Sequence, residues 1–179
     1  MSTFDYESLI IDIPDYPEPG VIFKDITPLL ADGAGFAACV DDIAEHFADA
    51  GVTKVLGTEA RGFMVGAPVA LKMGVGFVPA RKPGKLPRTC LSQEYALEYG
   101  TDKLEIHEDA LTKDDVILIV DDLIATGGTA AASVQLVHQA GAKVAGLAFL
   151  LELEVFKPRE TIAKVTDADF YSLVHVDTY

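Results

Sequence analysis

Short, unbroken apolar runs alternate along this chain with longer stretches in which apolar residues recur every three or four positions. Lys54–Leu56, Val75–Ala80, Val116–Val120 and Val144–Leu151 carry the runs. They read as strands buried on both faces of a parallel sheet, where no alternation with polar residues is required. Between them, Phe36, Val40, Ile43 and Phe47 share one face of a helix predicted over Phe36–Ala50, with Asp41, Asp42, Glu45 and Asp49 elsewhere and Gly51 as its stop. Further helices are expected from about Phe63 to Met73 and from Thr129 to Ala140. Residues 3–10 suit a short helix, after which Pro14, Pro17 and Pro19 force an extended, irregular path. A brief strand or loop is expected over Pro19–Pro28. Residues 81–107 interrupt the alternation and read as a basic loop followed by a hairpin, Glu94–Tyr99 with Lys103–His107, turned at Gly100-Thr101. A last strand is expected at Phe170–Val176. The pattern predicts one α/β domain over residues 1–179, with a mainly parallel central sheet flanked by helices.

Composition narrows the function classes. The 179 residues suffice for one sizeable core, and half are hydrophobic. No apolar run approaches the roughly 20 residues of a membrane span. The N-terminus lacks the features of a signal peptide, and Cys39 and Cys90 are isolated, so a cytoplasmic protein is expected. A net charge of −14 argues against nucleic acid or an anionic membrane as the main partner. Against that background Arg81, Lys82, Lys85 and Arg88 form a cationic island free of acids, as a small polyanionic ligand would require.

The most informative stretch runs from Val116 to Thr129. Five apolar residues, four of them β-branched, lead into Asp121 and Asp122, then Leu-Ile-Ala125-Thr126-Gly127-Gly128-Thr129 and a helical pattern. In open α/β sheets, ligands bind beyond the carboxyl ends of the strands. Gly127 and Gly128 allow a turn that brings backbone N–H groups to a ligand. With the hydroxyls of Thr126 and Thr129 and the positive end of the helix, they make a cradle for a phosphate monoester. Carboxylates do not bind phosphate, but Asp121 and Asp122 suit the hydroxyls of an attached sugar, directly or through Mg²⁺. A phosphate held beside a diol is a site for a ribose 5-phosphate.

Other motifs carry less. Gly33-Ala-Gly35-Phe-Ala-Ala38 matches a dinucleotide fingerprint, but no clear strand precedes it. There is no G-x-x-x-x-G-K-[ST] sequence, and His46, His107, His138 and His175 are scattered singly.

The Val116–Thr129 stretch resembles the signature of the type I phosphoribosyltransferases, which bind 5-phosphoribosyl 1-diphosphate (PRPP). Pro19-Gly-Val-Ile-Phe-Lys-Asp-Ile, Gly57-Thr-Glu-Ala-Arg-Gly-Phe, and Arg81-Lys-Pro-Gly-Lys-Leu-Pro with Tyr95-Ala-Leu-Glu-Tyr-Gly100 are similar to the adenine phosphoribosyltransferase family, in the family's order. The resemblance covers the chain from about Ile13. It implies a Rossmann-like type I fold with a small hood over about 1–34 and a flexible catalytic loop and hairpin over about 81–107. It places Phe23 on the purine, with the backbone of Ile22 and Lys24 reading the base edge; the family usually has Arg at position 24. It implies a pyrophosphate site at Glu59, Ala60 and Arg61, with a non-proline cis peptide at Glu59-Ala60. Arg81, Lys82 and Lys85 would close over the diphosphate, some of them from a neighbouring subunit.

The resemblance also places a catalytic glutamate at Glu98. Strand alternation puts Tyr95, Leu97 and Tyr99 on one face and Glu98 on the other, free to meet the cleft. The implied reaction is adenine plus PRPP giving AMP and pyrophosphate with Mg²⁺, in a cytoplasmic homodimer serving purine salvage. The alternatives are a 6-oxopurine, xanthine or orotate phosphoribosyltransferase, against which the 95–100 segment argues, and a non-catalytic PRPP- or purine-sensing regulator. Such a regulator usually needs an appended nucleic-acid-binding part, for which this chain leaves little room.

Overall fold

The computed structural model describes residues 4–97 and 100–177. Its centre is a five-stranded, all-parallel sheet in the order β4 (Gly76–Ala80), β3 (Lys54–Thr58), β7 (Val116–Ile124), β8 (Lys143–Leu153), β9 (Asp169–Val176). Both faces are covered, which explains the unbroken apolar runs. Leu118 and Val120 of β7 join a cluster with Val55, Ala148 and Leu150 beneath helices α2 (Gly33–His46) and α3 (Arg61–Met73). Ile117 and Ile119 point the other way. They pack with Leu56, Leu147 and Phe149 against Val134 and Val137 of α4 (Gly128–Gln139). Period-two geometry thus divides one apolar run between two cores. Burying a side chain the size of Phe149, which is 1% exposed, contributes about 1.5–3 kcal/mol.

Two antiparallel hairpins stand outside this sheet. β1 (Ile11–Pro14) pairs with β2 (Ile22–Asp25), and β5 (Cys90–Leu97) with β6 (Gly100–His107). The second lies over α4, where Gln139 Nε2 donates to Gln93 Oε1 at 2.6 Å, and contributes Tyr95, Leu104 and Ile106 to the core.

Several expectations shift. Residues 7–9 form only a single 3₁₀ turn, and the stretch expected to be irregular contains β1, with Pro14 at its end where a missing N–H does little harm. Gly100 and Thr101 belong to β6, not to a turn. The β7 strand does not run out before the acidic pair. β3 leaves it after Gly57↔Val120, but β8 pairs onward through Asp121↔Phe149 to Ile124↔Glu152. The two carboxylates therefore sit in a strand that has lost one neighbour. The short helices α1 (Thr27–Ala31) and α5 (Pro158–Ile162) are one turn each, too brief to show a period. Among the described residues, no helix is long and apolar enough to cross a membrane.

Candidate active site

Where β3 stops short of β7, the sheet opens a cavity of about 270 Å³ lined by residues 58–61 and 121–130 with Lys82, Tyr95, Leu104 and Phe149. Two helices begin at its wall. Gly127 precedes α4 in the left-handed region (φ 85°), which favours glycine, and its carbonyl accepts Ala131 N–H at 2.8 Å. No side chain caps this helix and its first turn holds no acid. The first N–H groups of a helix lack intrahelical partners, so the loop offers them, with the positive end of the helix dipole, to an anion. Ala125, Thr126, Gly127, Gly128 and Thr129 all line the cavity.

The second helix, α3, starts at Arg61 just after Glu59-Ala60, whose peptide bond is cis. Its second residue, Gly62, passes so close to β7 that a Cβ there would lie 2.6 Å from Asp121 Oδ1. This approach closes α3 over the acidic pair. Burial, and after it the charge of Asp122, pushes the Asp121 carboxyl well above the carboxylate range. Burial raises Asp122 too, against the opposing pull of Arg61. Arg61 Nε stands 2.8 Å from Asp122 Oδ2, an ion pair that falls short of an aligned hydrogen bond, so that buried oxygen keeps unused accepting capacity. A polarised, poorly satisfied carboxylate in a cleft is the environment from which ligand hydroxyls or a hard cation draw affinity.

Arg61 also reaches the hood. Its guanidinium carbon lies 5.8 Å from the centre of the Phe23 ring, which meets Tyr16 edge-on at 5.3 Å. Phe23 and Arg61, with Ile13, Tyr16, Leu30 and Met64, line a second cavity of about 260 Å³. Arg61 is common to both cavities, so a largely apolar pocket adjoins the first. Ile22 and Lys24 line neither. The Lys24 side chain is committed to both oxygens of Asp12, its cross-strand partner, at 2.7 and 2.8 Å.

The cationic island divides. Arg81 donates from Nε (3.1 Å) and Nη2 (3.2 Å) to Glu59, which also accepts Lys82 N–H at 2.9 Å. Burial pushes the Glu59 carboxyl up, but these bonds outweigh it and hold it below its ordinary value. Lys82 Nζ lines the cavity, donating to Tyr95 Oη at 2.8 Å and pairing with Asp102. Arg81 and Lys85 do not line it, and Arg88 is turned away to Asp109. Glu98 and Tyr99 lie outside the described residues. Thr58, Tyr95, Leu104 and Phe149 line the cavity without having been singled out as ligand-facing. Thr58, 2% exposed, ends β3 directly before Glu59, inside the Gly57–Phe63 motif.

This fold and site define a phosphoribosyl-transferring protein: the model of the phosphoribosyl transferase domain matches residues 25–178, and the chain belongs to that family. Within it, the similarity is to adenine phosphoribosyltransferases. The one from Streptomyces coelicolor is 61% identical over 146 residues, covering 82% of this chain and 80% of its own. The crystal structure of the enzyme from Thermoanaerobacter pseudethanolicus superposes with a TM-score of 0.89 at 46% identity, covering 95% of this chain and 97% of that one. The Giardia lamblia enzyme, solved with 9-deazaadenine, gives 0.91 at 37% identity with 98% of each chain covered.

Proposed function

We propose that the protein makes AMP and pyrophosphate from adenine and PRPP, a purine-salvage reaction. The observation that carries this reading is the placing of the Gly127 helix start, the Asp121–Asp122 pair and Arg61 around one cavity, with Phe23 beside it. In this reading residues 125–129 hold the 5-phosphate and Asp121 and Asp122 the ribose hydroxyls. Glu59, Ala60, Arg61 and Lys82 face the diphosphate. Arg81 and Lys85 join on closure of the 81–107 segment, which excludes water that would hydrolyse PRPP. Adenine stacks on Phe23, worth about 1–3 kcal/mol, while the backbone of Ile22 and Lys24 reads its edge. Relatives solved with adenine and with 9-deazaadenine support the choice of base.

Breaking the bond from ribose C1 to the diphosphate builds positive charge on the sugar and negative charge on the leaving group. Arg61 and the basic loop stabilise the second as it forms. Fixing the phosphate at one end and the base at the other aligns the base nitrogen with C1. Joining adenine at N9 leaves a proton to redistribute on the imidazole ring, and Glu98 is the group we assign to it. The buried, under-satisfied Asp122 and its neighbour Asp121 fit an oxygen-seeking cation. They are the residues that would hold Mg²⁺ with PRPP, where it supplies positive charge against the diphosphate. A cytoplasmic homodimer is the assembly the family resemblance supports.

Calorimetry of PRPP binding tests the reading. A Cβ at Gly127 would meet Thr161 Cβ at 3.2 Å and Pro158 O at 3.4 Å on a left-handed backbone, so Gly127→Val should abolish binding in a protein that still folds. Unchanged affinity would overturn the cradle.

A further inference from the structure

Behind the phosphate loop lies a segment that lines neither cavity, α5. A single turn has little helical stability of its own. This one starts at Pro158 after Lys157 in the left-handed region (φ 51°), and is held by tertiary contacts. Ile162, 3% exposed, packs in the cluster of Ala130 and Phe149. Arg159 reaches back to β8 and grips Glu152 with both arms of its fork, Nε at 2.8 Å and Nη2 at 2.7 Å, and its guanidinium lies 4.3 Å over the Phe170 ring. Glu152 is 1% exposed, and Ser172 Oγ donates to it at 2.5 Å. Glu154 and His175 stand close enough to make a cation site with Glu152, but Arg159 already occupies both Glu152 oxygens.

This grip sits at a telling place. Glu152 is the register partner of Ile124, the residue directly before Ala125. On the other side, Pro158 O and Thr161 fill the space next to the Cα of Gly127 that a side chain would otherwise take. One ion pair therefore ties β8, paired alongside the last residue of β7 before the loop, to the turn against which the loop rests.

We propose that Arg159 and Glu152 are positioning residues for the 5-phosphate loop, setting PRPP affinity by holding Pro158 and Thr161 behind Gly127. The proposal rests on the assignment of residues 125–129 as the phosphate cradle. Bidentate pairing fixes direction as well as distance, and only an arginine supplies it. Without the fork, α5 keeps its apolar anchor at Ile162 but loses the contact that sets its tilt against the loop.

The test uses Arg159→Met, which keeps the aliphatic stem, and the double variant Arg159→Met/Glu152→Gln, which also removes the buried charge that the first leaves unpaired. Calorimetry with PRPP and steady-state kinetics in both substrates are compared with wild type and Gly127→Val, alongside thermal unfolding. In the folded double variant the dissociation constant and KM for PRPP should rise roughly tenfold or more, while KM for adenine and kcat at saturating PRPP stay within about twofold. A purely structural pair would lower the melting temperature and leave the PRPP constants unmoved. PRPP affinity within about twofold of wild type in the double variant, or an equal loss for adenine, overturns the proposal. If Gly127→Val binds PRPP normally, the cradle assignment falls and this proposal falls with it. If Gly127→Val loses PRPP while the double variant keeps it, only the positioning role is refuted.

Discussion

One methyl group at Gly62 should disable the site while leaving the protein folded. A Cβ there would stand 2.6 Å from Asp121 Oδ1, 3.1 Å from Val120 O and 3.2 Å from Asp121 Cα. Non-bonded carbons settle at about 3.5–4.0 Å, so something must move by on the order of 1 Å. Val120 is fully buried in the central strand, hydrogen-bonded between β3 and β8, and cannot yield cheaply. Either the first turn of α3 rises, carrying Ala60 and Arg61, or the Asp121 carboxylate swings away; both displace groups that line the cavity. A misplacement of about 1 Å costs roughly 10²-fold in rate, about 2.7 kcal/mol in kcat/KM. Overpacking takes about 1–3 kcal/mol from stability, partly offset by up to about 1 kcal/mol of helix propensity gained over glycine. The melting temperature should fall by only a few degrees. Gly66→Ala, one turn later, is the control: its added Cβ would meet the edge of the Phe77 ring at 3.1 Å, and neither residue lines the cavity. Steady-state kinetics and thermal unfolding of both variants decide the matter. Wild-type kcat/KM in Gly62→Ala, or an equal loss in Gly66→Ala, would refute the reasoning.

Other expectations follow from the same geometry. Phe23→Ala removes the stacking face and should raise KM for adenine by a factor corresponding to about 1–3 kcal/mol, with PRPP affinity unchanged; a matching rise for PRPP would show that Phe23 is only scaffold. Glu98→Gln should lower kcat by about 10²–10⁴-fold with little change in PRPP affinity, and single-turnover rates near wild type would remove Glu98 from the chemistry. Asp115 supplies a pH signature. Burial pushes its carboxyl up, but bonds from Lys54, Thr112 and Thr53 outweigh this and bring it from 3.8 to about 2. Because the folded value is depressed, its contribution, on the order of 2 kcal/mol, is present above about pH 4 and lost as pH falls toward 2. Urea unfolding of wild type and Asp115→Asn should converge in stability across that window; parallel curves would contradict the assignment.

Much of the site was legible because its physics is local. The β-branched run of β7, the paired acids and the Gly127-Gly128 turn lie within fourteen residues, and each residue type states its own constraint. What escaped depends on tertiary contact. The acids lie in a strand because β8 outlasts β3, and no single stretch of sequence reveals the relative lengths of two neighbours. The commitment of Lys24 to Asp12 requires a hairpin that the intervening prolines disguise. Arg81 reads as a free cation in sequence, yet Glu59, twenty-two positions away, holds it in the folded chain. The backing of Gly127 by Thr161 joins the 125–129 loop to a one-turn helix that leaves no periodic trace.

Two adjoining cavities that share Arg61 are proposed to bring PRPP and adenine together. The most direct measurement incubates the purified protein with PRPP, Mg²⁺ and each of adenine, hypoxanthine, guanine, xanthine and orotate in turn, following nucleotide and pyrophosphate together. AMP and pyrophosphate should form in equal amounts from adenine, with turnover of the other bases lower by orders of magnitude. Equal or faster turnover of hypoxanthine or orotate, or PRPP binding with no nucleotide formed from any base, would contradict the proposed function.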